Sequence, residues 1–305
     1  MVEKEEIFRY MKTIGYQDGD ITSVAIFPSG AFLSISRRGI LYKWNKLFNV
    51  EKSYQIEGNS NYILQAIKEN HFIAISSNKN CSFWEIDPPN KKNEPIVCYY
   101  QIKAELHKSD IFQCCIKENK LIICSKDLIT FWEENQSNPN QLYFLQTKIY
   151  LDNIQAFLLI QSKDYFVIGS KNNVSFWNYN NVSKIKSLDN ITINNSINVK
   201  ELDKDTILCA DDKILYMINM NNFDVKKLDN FEEKICGICV LDDYFFVAHK
   251  LNLRVYRKDD STVKNDIEYA SMTYDINGII PLSKNIIGLY SNYGYIRLFA
   301  DKLLK

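Results

Sequence analysis

A bulky aromatic or apolar residue recurs at the end of a short strand-like segment along this chain of 305 residues. All four tryptophans of the sequence occupy this anchor position, and Met, Tyr and Phe occupy it in the last three copies. The seven anchors are Trp44, Trp84, Trp132, Trp177, Met217, Tyr256 and Phe299. Their spacings are 40, 48, 45, 40, 39 and 43 residues. A period of this length predicts one small structural unit per repeat and a chain built from stacked copies of that unit.

Two apolar runs precede each anchor, and a more polar run follows most of them. The run nearest the anchor is rich in Ile, Val and Phe, as in residues 71–77 and 164–171. Such runs, separated by Asn, Asp, Lys and Gly, are typical of short strands, and no long helical period occurs. The sequence therefore predicts an all-β protein, a seven-bladed β-propeller with four antiparallel strands per blade, in a single domain spanning residues 1–305.

The seventh repeat lacks a fourth strand, because only ADKLLK follows Phe299. The N-terminal segment 7–14 is strand-like, and no strands precede it. We expect this segment to complete the last blade, which closes the ring and leaves no exposed closing edge.

Composition excludes several functional classes. Lys+Arg and Asp+Glu number 37 each, so no bulk binding of nucleic acid is expected. No apolar run approaches the ~20 residues of a membrane span, and the acidic N-terminus is unlike a signal peptide. The eight cysteines are scattered, as expected of free thiols in a reducing compartment. We expect a cytoplasmic protein, with a nuclear location left open.

No motif for catalysis, a cofactor or a metal is found. His71, His107 and His249 are the three histidines, and none stands at ligand spacing from a cysteine. Cys236 and Cys239 have the spacing of a redox pair, but residues three apart in a strand point to opposite faces. Phosphate loops, nucleophile elbows and HExxH are absent from the sequence. We therefore expect no enzyme activity, no cofactor and no metal site.

On these repeats the chain resembles the WD-repeat family, best in residues 21–45, where Pro28-Ser29-Gly30 stands at the family's turn between the first two strands. The family's Trp-Asp ending is replaced by Trp-Asn or Trp-Glu, as at Trp44-Asn45. Its turn Asp, six residues before the anchor, is present only as Asp211. We therefore expect the family's buried His–Ser–Asp–Trp hydrogen-bond network to be absent and apolar packing to hold the blades.

In five of the seven repeats a Lys or Arg stands at the position of that turn Asp or directly beside it. The candidate partner-binding residues at this turn are Arg37, Arg38, Lys79, Lys126, Lys171, Lys250 and Tyr293. The resemblance places them on the narrower top face, where the loops that lead into the blades carry acids such as Asp20 and Asp229. Either each cation pairs with such an acid and replaces the lost network, or the cations bind an acidic or phosphorylated peptide.

The resemblance implies a non-catalytic scaffold or adaptor subunit of a larger complex. We expect a monomeric propeller with one or more protein partners of unknown identity. The alternative is a reader of acidic or phosphorylated peptides, and a propeller enzyme with an acid–base pair in the channel is third. Two insertions, 87–95 and 133–141, would offer a contact on the opposite face. Arg37-Arg38-Gly39 is also similar to the signature of phosphoinositide-binding propellers, which makes a lipid reader a further hypothesis.

Overall fold

The computed structural model describes residues 8–15, 19–56, 60–91, 94–135, 137, 142–171, 173–189, 191, 193, 198–249, 252–268, 276–291 and 293–301. Within these ranges it contains strands β1 to β28 and no α-helix. The described part of the chain thus has no helix long and apolar enough to cross a membrane. The strands form seven antiparallel sheets of four, here called blades 1 to 7, as the repeats predict.

The chain divides into two compact units, of which Tyr16–Asn153 contains blades 1 to 3. Blade 1 comprises β2 (Ile21–Ile26), β3 (Phe32–Ser36), β4 (Ile40–Trp44) and β5 (Val50–Gln55). Blade 2 comprises β6 (Ile63–Lys68), β7 (His71–Ile75), β8 (Asn80–Ile86) and β9 (Ile96–Lys103). Blade 3 comprises β10 (Ile111–Lys117), β11 (Lys120–Ser125), β12 (Leu128–Glu134) and β13 (Tyr143–Tyr150).

The other unit, Met1–Gly15 with Ile154–Lys305, contains blades 4 to 7. Blade 4 comprises β14 (Ile154–Leu159), β15 (Tyr165–Ser170), β16 (Asn173–Asn178) and β17 (Lys184–Asp189). Blade 5 comprises β18 (Val199–Asp203), β19 (Thr206–Asp211), β20 (Ile214–Asn219) and β21 (Val225–Asn230). Blade 6 comprises β22 (Ile235–Val240), β23 (Tyr244–His249), β24 (Asn252–Arg257) and β25 (Val263–Glu268). Blade 7 comprises β26 (Ile276–Ser283), β27 (Ile286–Ser291), β28 (Ile296–Asp301) and the N-terminal β1 (Phe8–Ile14).

The N-terminal strand β1 is the fourth strand of blade 7, as predicted. It pairs antiparallel with β28, from Phe8 opposite Asp301 to Ile14 opposite Ile296. Phe8 is buried and packs edge-on against Phe246 of blade 6, with ring centroids 4.8 Å apart. The start of the described chain is therefore fixed both by strand pairing and by core packing.

The anchor residues lie on the third strand of each blade and pack against the second. Phe32 and Trp44 are cross-strand partners and stack 5.7 Å apart, and Phe245 and Tyr256 stack 4.6 Å apart. The second strands are almost entirely buried, as in β3, where all five residues are buried. A large ring at the anchor fills the space over an apolar second strand, which explains the recurring residue type.

All eight cysteines are free. Cys236 and Cys239 both lie on β22, as the strand interpretation predicts, and Cys239 is buried in the apolar cluster between blades 6 and 7. Burial raises the pKa of the Cys239 thiol to about 12, so this thiol is protonated at neutral pH.

Because the strands of each blade alternate in direction, two kinds of connection meet at one end of the blade. These are the loop that leads into the first strand and the turn between the second and third strands. This end is called the leading end below. The predicted cations and the acids of the leading loops both belong to it.

Candidate functional site

A buried hydrogen-bond network in blade 3 links His107 to the anchor Trp132. His107 Nδ1 lies 2.7 Å from Ser125 Oγ, and its Nε2 lies 3.0 Å from Thr130 Oγ1. Trp132 Nε1 donates to Thr130 Oγ1 over 2.9 Å, and Ser125 Oγ donates to Asp127 over 2.9 Å. The expectation that no His–Ser–Asp–Trp network would form was therefore wrong for this blade. The family pattern places this acid six residues before the anchor, whereas Asp127 stands five residues before Trp132.

This network is structural because its polar groups satisfy one another. Burial would raise the pKa of Asp127, but hydrogen bonds from Ser109, from Ser125 and from the Lys108 N–H outweigh it and lower that pKa to about 2. Burial lowers the pKa of His107 to about 4, so the imidazole is neutral at pH 7. With both ring nitrogens engaged, His107 has no lone pair or proton left for a substrate.

Other anchors have simpler polar contacts. Trp44 Nε1 donates to Ser34 Oγ over 2.8 Å, and Trp177 Nε1 donates to Ser175 Oγ over 2.9 Å. Trp84 Nε1 is buried without a hydrogen-bond partner in the described part of the chain. The tryptophans are thus held in different ways, and packing on the second strand is what they share.

In the unit Tyr16–Asn153, the predicted cations occupy the turns between second and third strands. Arg37 forms an ion pair with Asp20 of the loop leading into blade 1, with Nη2 and Oδ2 3.2 Å apart. Lys79 Nζ donates to the main-chain oxygen of Lys108 over 3.0 Å. Arg38 and Lys126 are exposed at the same turns. Arg37 therefore follows the structural interpretation of these cations, in which each pairs with a nearby acid.

In the unit containing blades 4 to 7, Lys171 and Tyr293 are exposed at the corresponding turns of blades 4 and 7. Lys250 lies outside the described residues. Among the described residues, no group of three or more His, Cys, Asp or Glu side chains is placed to hold a metal ion.

A pocket lies at the leading end of blades 5 and 6, within one compact unit. Its cavity measures about 520 Å³, and we call it the blade 5–6 pocket. Its lining residues are Asn230, Phe231, Glu232, Glu233, His249, Asn252 and Arg254. The loop from β21 to β22 provides one side, and the ends of β23 and β24 provide the other.

Arg254 of β24 forms the charged wall of the blade 5–6 pocket. Its guanidinium makes two hydrogen bonds to Asp266, from Nε over 2.8 Å and from Nη2 over 3.2 Å. A third, from Nη1, joins it to Asp229 of blade 5 over 3.0 Å. The guanidinium carbon lies 4.7 Å from the centre of the Phe231 ring. Contacts of this kind hold the side chain in one orientation and link the two blades.

The groups around Arg254 keep their charges. Asp229 also accepts hydrogen bonds from the Tyr256 hydroxyl and from the Asn230 N–H. Burial would raise the pKa of Asp229, but the hydrogen bonds from Tyr256, Asn230 and Arg254 outweigh burial and lower it. Burial would lower the pKa of Arg254, but Asp266 above all raises it. This wall is therefore ionised across the physiological pH range.

His249 contributes a buried, unsatisfied ring to the same pocket. The side chain is only 7% exposed, and its ring centroid lies 4.8 Å from that of Phe231. Its Nε2 is buried and has no hydrogen-bond partner in the described part of the chain. Burial and the neighbouring Arg254 charge lower the pKa of His249, so the ring is neutral at pH 7. A buried polar atom without a partner is costly, so Nε2 lowers the stability of this region relative to a satisfied histidine.

The blade 5–6 pocket was not predicted from the sequence, although the sequence contains one signal of it. Arg254 stands two residues before the anchor Tyr256, where Thr130 and Ser175 stand before their tryptophans. Three of the seven repeats carry a small hydroxyl group at this position, so the arginine marks a local departure from them. Its partners could not be read from the sequence, because Asp229 is 25 residues away on another blade.

Seven successive four-stranded antiparallel sheets, the last completed by the N-terminal strand, define a seven-bladed β-propeller. Among solved structures, the crystal structure of the WD40 β-propeller domain of Doa1 is similar, with a TM-score of 0.73 and 16% sequence identity over 96% of both chains. No protein-family model matches this chain, and no curated protein matches it in sequence. The likeness to WD40 propellers is therefore one of fold.

Proposed function

We propose that this protein is a non-catalytic protein-interaction platform, a scaffold or adaptor subunit, that contacts its partner through the leading end of blades 5 and 6. The observation that carries the proposal is the blade 5–6 pocket, a cavity of about 520 Å³ with a wall fixed by three hydrogen bonds that Arg254 donates to two aspartates. Preorganised polar groups around a cavity reduce the entropy lost when a ligand binds.

The chemistry of the pocket favours recognition over catalysis. General acid–base catalysis near neutral pH needs groups whose pKa lies near the working pH. The pKa of Asp229 is lowered and that of Tyr256 is raised, the latter first by burial and then by Asp229. Both shifts move the pKa values of these groups further from 7. At neutral pH Asp229 therefore contributes a fixed negative charge, and Tyr256 contributes a fixed hydrogen bond.

A second candidate is a reader of acidic or phosphorylated peptides at the leading end of blades 1 to 3. It is favoured by the exposure of Arg38 and Lys126, which have no ion-pair partner among the described residues. Arg37 beside them is already paired with Asp20. An arginine matches a phosphate or carboxylate with two parallel hydrogen bonds, so Arg38 is the residue with the largest expected effect.

Affinity purification of the tagged full chain from its native cells, followed by mass spectrometry, tests the proposal. Three variants accompany the unmodified chain: Glu232→Lys/Glu233→Lys at the pocket, Arg37→Glu/Arg38→Glu at blade 1, and the control Asp242→Lys/Asp243→Lys. The control alters two adjacent exposed acids of blade 6 at its opposite end.

We expect stoichiometric partners with the unmodified chain and the control, and their loss from the pocket variant. Loss from the Arg37/Arg38 variant alone would support the second candidate. The absence of stoichiometric partners from every form would contradict the platform function itself.

A further inference from the structure

We propose that Lys200, on the first strand of blade 5, is a nucleophilic amine that takes up a small aliphatic aldehyde covalently as an imine. This site goes beyond the proposed interaction function, and Lys200 is not part of the lining of the blade 5–6 pocket. Three observations support it: the position of the lysine in the repeat, the absence of a counter-charge and the cavity beside it.

Lys200 occupies a position that is apolar in the neighbouring blades. It pairs with Leu208, which lies three residues before the end of the second strand, β19. In blades 4, 6 and 7 the residues that pair with the same position of the second strand are Leu158, Cys239 and Ile280. A lysine in this layer breaks the repeat where packing does not require it, and such departures are expected at functional sites.

The surroundings of Lys200 are apolar, but its side chain can be reached. The first strands of blades 4 to 7 lie side by side within one compact unit, since β18 contacts both β14 and β22, and β22 contacts β26. Cross-strand pairing places Lys200 on the same face of blade 5 as Leu208, which belongs to the apolar cluster between blades 5 and 6. The lysine is nevertheless only partly buried. A lysine of this kind buries its carbon stem and keeps its amine at accessible surface.

No acid compensates a positive charge on Lys200. Its Nζ makes no ion pair and no hydrogen bond in the part of the chain that the structure describes. The adjacent Glu201 is directed to blade 4, where it accepts hydrogen bonds from the N–H groups of Gln161 and Ser162 over 2.8 and 3.1 Å. The titratable group that faces Lys200 from β22 is the thiol of Cys239, which burial keeps protonated.

These surroundings favour the neutral form of the amine. Burial lowers the pKa of Lys200, and the smaller opposing effect of Cys239 does not cancel it. Only the neutral amine carries a free lone pair, so desolvated lysines are the ones that attack carbonyl compounds. At pH 7 a larger fraction of Lys200 is therefore nucleophilic than of an exposed lysine.

A cavity beside this layer can hold the body of the aldehyde. Its volume is about 720 Å³, and its lining includes Glu201, Val240 and Pro281. These three residues directly follow the layer that contains Lys200 on the first strands of blades 5, 6 and 7. The whole lining contains as many lysines as acids, together with apolar side chains, which favours a neutral ligand with an apolar chain.

Imine formation at Lys200 needs no further reactant. The lone pair of Nζ attacks the carbonyl carbon, the electron pair of the C=O double bond moves to oxygen, and a proton passes from nitrogen to that oxygen. Loss of this oxygen as water leaves a C=N double bond. One water is released for each aldehyde bound, and nothing is oxidised or reduced.

The test treats the full chain with butanal and sodium cyanoborohydride, which reduces each imine to a stable alkylamine. Samples are quenched at intervals and digested with chymotrypsin, and mass spectrometry follows the modification of each lysine. At pH 7 we expect Lys200 to be modified about 10-fold faster than Lys186 and Lys226, which are exposed on the outer strands of blades 4 and 5. This lead should shrink at about pH 10, where exposed lysines are also increasingly neutral.

Matched variants assign the fast reaction to Lys200. Lys200→Met removes the amine and leaves a long apolar side chain in an apolar layer, so the fold should be kept. The fast phase of modification should be absent from this variant. It should be present in the control Lys186→Met, and far-UV circular dichroism confirms the fold of both.

Equal rates at Lys200 and the two outer-strand lysines at pH 7 would overturn the inference, since they would show an ordinary solvated amine. A lack of modification at Lys200 would overturn it as well. A lead that is unchanged at pH 10 would also contradict it, because that lead would reflect access of the reagent and not the neutral state of the amine. The proposed interaction function is judged separately, by the partners found in the affinity purification.

Discussion

His107 should make the stability of the protein depend on pH between about 4 and 6.5. Its ring is fully buried, and burial lowers its pKa from 6.5 to about 4 in the folded state. Between these values the unfolded chain binds more protons than the folded one, so stability rises with pH through this window and is lost as pH falls. Moving from pH 7 to pH 5 should cost about 2 kcal/mol through His107 alone.

The variant His107→Gln isolates this contribution. At pH 7 it should be about 1–3 kcal/mol less stable than the unmodified chain, because the hydrogen bonds of the ring to Ser125 and Thr130 are weakened or lost. Glutamine does not titrate, so this difference should shrink by about 2 kcal/mol at pH 5. His249, whose pKa is also lowered, is present in both proteins and cancels.

Urea unfolding followed by tryptophan fluorescence and far-UV circular dichroism at both pH values gives the two differences in free energy of unfolding. Coincident curves from the two probes establish that a single free energy describes the transition. An equal stability difference at pH 7 and pH 5 would refute the reasoning. It would mean that His107 is either solvated in the folded protein or not held as a neutral ring.

Gly15→Ala should lower stability by about 1–3 kcal/mol in thermal unfolding, because Gly15 has φ +105° and an added Cβ would lie 2.6 Å from the Gly294 oxygen. Arg254→Met should cost about 1–3 kcal/mol in urea unfolding, since it removes the hydrogen bonds that Asp229 and Asp266 accept, and unchanged stability would contradict the role given to this wall. Cys239 should resist dithionitrobenzoate in the native protein and react after unfolding, since it is buried with a pKa raised to about 12, and rapid native labelling would count against this packing.

Much of the fold could be predicted from the sequence because the same pattern of strands and anchor residue occurs seven times. The predicted runs 71–77 and 164–171 correspond to β7 (His71–Ile75) and β15 (Tyr165–Ser170). The N-terminal strand was predicted from a missing strand in the last repeat, and it pairs with β28. Strand number and order follow from local patterns, because neighbouring strands in a blade are also neighbours in sequence.

The polar networks were predicted less well, because they depend on contacts that spacing alone does not specify. Asp127 completes the blade 3 network one residue after Lys126, the position at which the repeat pattern places the acid. Arg254 donates hydrogen bonds to Asp266 on the neighbouring strand of its own blade and to Asp229 on blade 5. A cation that pairs 25 residues away is not distinguishable in sequence from one that is solvated.

The contacts of the predicted cations were likewise not predictable from the spacing of the repeats. Their place at the leading end follows from the repeat, but the pairing of Arg37 with Asp20 depends on the shape of one loop. The repeat pattern predicts positive charge at this end of the blades. The described lining of the blade 5–6 pocket, by contrast, contains two glutamates and one arginine, and the sequence analysis assigns the acids of the leading loops only a structural role.

Hydrogen exchange of the chain, measured by mass spectrometry with and without its co-purified partner, tests whether the partner binds at the leading end of blades 5 and 6. We expect slower exchange on binding in the loop from β21 to β22 and at the start of β24, two of the segments that line the blade 5–6 pocket. Unchanged exchange in both segments, with protection confined to the opposite ends of the blades or to blades 1 to 3, would contradict it.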